Sequence, residues 1–158
     1  MREILFRGKC KDTGEWYEGQ YIHLHKSTYC FKEDYDRHPD NDIHQIVYEI
    51  MSDWGLPNRH FRVDVLPETV GQYTGLTDKN GKKIFEGDIV KHFDNSDKEY
   101  DIGVIYFDTE FMGWRRTTQG RFHKRIIDTY KLNPTCIYEV IGNIQDNPEL
   151  LKEGADNG

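Results

Sequence analysis

Residues 113–131 are the one basic stretch in an otherwise acidic chain. They contain six basic residues and one acidic, a net of +5, which leaves −12 on the rest of a 158-residue chain whose total is −7. Charge segregated in this way focuses a local field whatever the overall sign. Arg115, Arg116, Arg121, Lys124 and Arg125 are candidates to neutralise phosphates. Trp114 and Phe122, interleaved with them, are candidates to stack on bases of a single-stranded nucleic acid. The opposing reading has Trp114 filling a core and the arginines paired with acidic neighbours across a subunit boundary. The two differ in exposure. Nucleic-acid binding needs an open basic stripe, and assembly needs the same residues buried against another chain.

His23 and His25 are one residue apart, so on a strand they point to the same face. That spacing can hold a metal, but a site needs a third and usually a fourth ligand. The alternative is a solvent-facing pair opposite Ile22 and Leu24. No metal or other cofactor is therefore expected. An EF-hand centred on Gly81 would put its first ligand on Leu76, which is apolar, so that spacing fails. Neither a P-loop nor Gly-x-Gly-x-x-Gly occurs, and none of Ser27, Ser52 or Ser96 sits in a nucleophile motif. Glu86 with Asp88, and Asp94 with Asp97, are carboxylate pairs of the kind an acidic chain places on a solvated face. The expectation is a protein without catalytic activity. A metal-dependent hydrolase is the least favoured reading, and it would need carboxylates converging in three dimensions.

The elements that would carry these residues read as β-structure: short alternating runs broken by Gly, Asn and Asp. Ile4 and Phe6 share one face of a first strand, and Lys11-Asp12-Thr13-Gly14 is a hairpin turn into a return strand ending near Leu24. Residues 33–42 are polar, contain Pro39 and read as a solvated loop. Residues 45–51 fit a strand, although Ile46, Val47 and Ile50 also fit a helical turn. Phe61, Val63 and Val65 alternate with Arg62 and Asp64 as a half-buried strand that Pro67 ends. Asn80-Gly81 marks the strongest hairpin, with both residues suited to positive φ. Strands follow from Gly87, through Tyr100, Ile102, Val104 and Tyr106 on one face, and over 136–144. Asn147 as N-cap and Pro148 at the first helical position open a short C-terminal helix.

Size and composition agree with a small β-domain. Hydrophobic residues make up only 36% of the chain, but ten Tyr, eight Phe and three Trp can anchor a modest core. Cys10, Cys30 and Cys136 are odd in number and far apart, which reads as reduced thiols in a cytosolic protein. The apolar run at the N-terminus is three residues long, too short for a signal peptide, and no window is long and apolar enough to span a membrane. The expected location is the cytoplasm.

Three ordered blocks are distinctive. The first is Ile4-Leu5-Phe6-Arg7-Gly8-Lys9 followed by Gly14-Glu15-Trp16. The second runs from Thr69-Val70-Gly71-Gln72-Tyr73-Thr74-Gly75 to Phe85-Glu86-Gly87-Asp88-Ile89-Val90. The third is Tyr138-Glu139-Val140-Ile141-Gly142-Asn143 and on to Leu151. Together they resemble the YopX protein family of phages and prophages. The resemblance implies a mostly β protein whose second part is an SH3-like small barrel. Taken with the residue pattern, the expectation is an all-β chain with an N-terminal β-rich region over 1–74, the barrel with a short C-terminal helix over 75–151, and a frayed tail over 152–158. The resemblance also implies a phage or prophage origin. It implies no catalytic activity and brings no functional residues with it. The function expected is that of a protein-interaction or assembly module in the phage–host context, as a homo-oligomer or bound to a host or phage protein. Nucleic-acid binding through 113–131 is the alternative.

Overall fold

In a computed structural model the described residues are 3–93, 99–117, 129–132 and 136–151. They form an all-β protein in which every strand pairing is antiparallel. They fall into two compact units, Glu3–Gln72 and the residues from Tyr73 onward.

In the first unit, β1 (Phe6–Lys9) turns at Gly14 into β2 (Trp16–His25). After a helical excursion, β3 (Asp42–Ile50) pairs along β2, and β4 (Arg59–Asp64) pairs along β3. The first two residues of β5 (Gly71–Thr77) pair with the other edge of β1. The strand reading of 45–51 therefore holds over the helical one, because β3 has a partner on both sides. Ile46 and Val65 are fully buried and Cys10 nearly so. Phe61, expected to be half-buried with Val63, is 41% exposed, because β4 is paired on one side only and faces solvent.

The solvated loop expected at 33–42 is instead α1 (Lys32–Arg37) followed by a 3-10 turn at Pro39–Asn41. Nothing in α1 is buried, so no apolar periodicity marked it. It is held by the Lys32–Asp36 and Arg37–Asp34 pairs at helical spacing and has acidic residues in its first turn.

In the second unit β5 continues through the Asn80-Gly81 turn into β6 (Lys83–Phe85). Only Gly81 takes positive φ there, at 80°; Asn80 does not. β7 (Asp88–Phe93), β8 (Glu99–Asp108), β9 (Gly113–Thr117), β10 (Thr129–Lys131) and β11 (Ile137–Asn143) form a sheet in the order β10-β9-β8-β7-β11. No closed barrel is seen among the described residues, so the SH3-like architecture is not reached at that level of detail. Ile84, Val90, Ile105, Leu132 and Tyr138 make the core, with Leu76, Trp114, Cys136 and Val140 packed on it. On β8, Ile102, Val104 and Tyr106 do alternate together but are half-buried, while Asp101, Gly103 and Ile105 are buried. The C-terminal helix is a 3-10 turn at Pro148–Leu151.

The Asp78 carboxylate ties this unit together. Its Oδ1 accepts the backbone N–H of Asn80 at 2.8 Å and of Lys82 at 2.9 Å, which closes the hairpin turn. Its Oδ2 accepts the N–H of Val140 on β11 at 3.1 Å, 62 residues away. Burial pushes its pKa up, but the hydrogen bonds from Val140, Lys82 and Asn80 and the charge of Lys82 outweigh that and hold it below the ordinary value.

Candidate functional site

Of the basic-aromatic stretch, only part lies within the described residues. Arg121, Phe122, Lys124 and Arg125 lie outside them. Trp114 is on β9, edge-on to Phe107 at 5.1 Å and packed on the core, and its indole N–H meets no acceptor among the described residues. Arg115 pairs with Asp108 at 3.2 Å and stacks over Phe111 at 4.0 Å. Arg116 is 4% exposed, paired with Asp101 and 3.1 Å from Nδ1 of His92. A buried guanidinium held by a buried carboxylate is committed to the fold and presents no free charge to a phosphate. Sequence counting added Arg116 to the stripe because the Asp101 partner lies on a neighbouring strand.

A second cluster lies on the first unit. The β2–β3 register sets His23 opposite His44 and His25 opposite Asp42, so all four side chains share one face of two adjacent strands. The rings of His23 and His44 stack at 4.4 Å, and those of His23 and His25 meet edge-on at 5.2 Å. Nδ1 of His25 lies 2.7 Å from Oδ1 of Asp42, and Nε2 of His23 lies 3.7 Å from Oδ2. Nδ1 of His44 is 2.6 Å from the hydroxyl of Tyr21, two residues before His23 on the same strand. Potential ligand atoms of His23, Asp42 and His44 lie within 4.8 Å of one another. The His25 hydrogen bond holds the Asp42 carboxyl below its ordinary pKa; burial works the other way, and the three histidines add to the lowering. Burial, then the neighbouring His23, lowers His44 and favours its neutral imidazole. An open cleft of about 660 Å³ begins beside His25 and Asp42 and is bounded by Cys30, Phe31, Tyr35 and Pro39. The sequence shows His23 and His25 as a pair. Asp42 and His44 carry the same one-residue spacing, and that repeated spacing was the available signal.

The third feature is the tip joining β3 to β4. A turn from Asp53 to Leu56 is closed by the Leu56 N–H donating to the Asp53 carbonyl at 3.0 Å, with Gly55 at φ 77°. Positive φ at the third residue is the type II geometry that glycine serves. Trp54 at the corner is 97% exposed, and Met51 and Leu56, within three residues of it in the chain, are 83% and 62% exposed. Below the turn the Asn58 side chain accepts the Ser52 N–H and donates to Glu49. These two exposed hydrogen bonds link the chain on either side of the turn. Nothing in residues 51–58 alternates, so no periodicity in the sequence marks it.

Among the described residues no helix is long and apolar enough to cross a membrane. A comparison with curated proteins finds no match. Among solved structures, the chain is similar to protein EF1440 from Enterococcus faecalis at 22% identity and a TM-score of 0.44, with 96% of this chain and 99% of that one covered. The family model described as YopX protein matches residues 5–152. Nearly the whole chain is spanned by that match, and the chain belongs to the YopX protein family.

Proposed function

We propose that this chain is a non-enzymatic interaction and assembly module, acting in a phage–host context, that docks through the β3–β4 tip onto a second copy of itself. The observation that carries the reading is Trp54, almost fully exposed on a hydrogen-bonded turn, with Met51 and Leu56 exposed within three residues of it in the chain. A monomer gains nothing from leaving these side chains in water, and clustered exposed apolar residues mark contact sites. Burying a tryptophan removes about 150–250 Å² from water. At about 25 cal/mol per Å² that is roughly 4–6 kcal/mol before association costs. Both signs of charge flank the tip, with Glu49 and Asp53 beside Arg59 and Arg62. That mixture suits an isologous contact, in which one patch meets its own copy.

The nucleic-acid alternative has less support, because Trp114 and Arg116 are occupied within the fold. The SH3-like architecture of the second unit stays an extension of the family resemblance. It would supply a generic platform and decides no function by itself.

The test is the mass in solution by light scattering over a dilution series, for wild type and for Trp54→Ser/Leu56→Ser. The expected result is a wild-type oligomer that the double variant converts to monomer with unchanged circular dichroism. A wild type that is monomeric at about 100 μM, a concentration at which a contact of even modest free energy would be half-formed, overturns the assembly reading.

A further inference from the structure

We infer that His23, Asp42 and His44 form a binding site for a divalent transition metal of the zinc class, with His25 and Tyr21 positioning two of the ligands. Two imidazoles and a carboxylate are a donor set that suits zinc, and imidazole also suits nickel and copper. A tetrahedral zinc with ligands at about 2.0–2.1 Å separates them by roughly 3.3 Å. Nε2 of His23 and Oδ2 of Asp42 are already at 3.7 Å, and the full trio falls within 4.8 Å. Binding requires side-chain rotation that closes this difference and turns the stacked His23 and His44 rings toward one point. The backbone ladder fixes the partners, since His23 faces His44 and His25 faces Asp42 across one antiparallel pair.

The remaining contacts divide the roles. Ligating histidines donate their second ring N–H to a nearby acceptor, and ligating carboxylates are themselves hydrogen-bonded. His44 has its Nδ1 against the Tyr21 oxygen, which leaves Nε2 to face the metal. Asp42 has Oδ1 against Nδ1 of His25, which leaves Oδ2 toward His23. His25 is thus a positioning residue. The side chains of His23 and Asp42 are 44% and 33% exposed, so a metal can enter from solvent and water can hold the fourth position. The site is independent of the tip contact proposed above, because it uses the other end of the β2–β3 ladder.

Isothermal titration calorimetry of the full chain with zinc chloride tests the site, with His23→Ala, His25→Ala and Cys30→Ser alongside. Thermal unfolding without metal checks that each variant is folded. The expected result is one zinc per chain in wild type and Cys30→Ser, loss of binding in His23→Ala, and affinity lowered about 10–100-fold in His25→Ala. Cobalt substitution should give the visible spectrum of a low-symmetry nitrogen and oxygen site without thiolate charge transfer. Absence of saturable binding by wild type, binding that survives His23→Ala, or loss in Cys30→Ser would each overturn the assignment.

Discussion

Replacing Asp78 should weaken the second unit more than its place in a surface hairpin suggests. The residue is 7% exposed and its carboxylate receives three backbone N–H groups, two within the turn and one from β11. A hydrogen bond to a charged group contributes about 1.5–3 kcal/mol, and the burial of the carboxylate subtracts from the sum. The two turn donors belong to exposed residues and can rebind water, whereas Val140 is half-buried. Asp78→Ala is therefore expected to cost about 3 kcal/mol. Asp78→Asn keeps an oxygen for the turn and turns an N–H toward the Val140 donor, so it should cost about 1–2 kcal/mol. The folded-state pKa is depressed, so the contribution of the charge is complete above the unfolded value of about 3.9 and is lost as pH falls through the lower, folded one. Urea unfolding of the three proteins at pH 7 and at stepped pH below 4 measures both effects. The gap between wild type and Asp78→Ala should narrow only in the acid steps. A gap under about 1 kcal/mol at pH 7 would refute the linchpin role, and so would Asp78→Asn costing as much as Asp78→Ala.

Arg116→Met should destabilise by about 3–5 kcal/mol in chemical unfolding, because it leaves Asp101 charged and buried, and Asp101→Leu/Arg116→Met should recover most of that. Equal stability of the single variant and wild type would contradict the burial of this pair. Gly103→Ala should cost about 1–3 kcal/mol, since a Cβ there would lie 1.8 Å from the Thr117 carbonyl oxygen and force β8 from β9. Gly113→Ala, with its nearest contact at 3.7 Å, should stay within about 0.5 kcal/mol in the same assay. An Arg121→Glu/Lys124→Glu/Arg125→Glu variant should leave oligonucleotide anisotropy unchanged from wild type, and a salt-sensitive loss of binding would restore nucleic acid as the ligand.

Local pattern carried much of the fold. The hairpins at Gly14 and Gly81 and the strands β2, β7 and β11 were legible because alternation and turn chemistry act over a few residues. Features that depend on pairing were not. The choice of strand over helix for 45–51 needed β2 and β4 on either side. Helix α1 escaped because none of its residues is buried, so no apolar periodicity marks it. On β8, the buried face includes a charged residue, Asp101, whose partners Arg116 and His92 lie on the two neighbouring strands. The same limit governed the sites. His23 and His25 stood out alone, while the register that brings Asp42 and His44 to them is a property of two strands together. Arg116 counted as a free charge until its partner was in place.

The most direct test of the assembly role is fluorine NMR of the chain labelled with 5-fluorotryptophan, which gives one resonance for each of Trp16, Trp54 and Trp114. Trp54→Phe assigns the tip resonance. On dilution from the highest accessible concentration, the Trp54 resonance should move toward its solvent-exposed position while those of Trp16 and Trp114 stay fixed. A Trp54 resonance that is exposed at every concentration, in a protein whose mass does not change, would contradict the account.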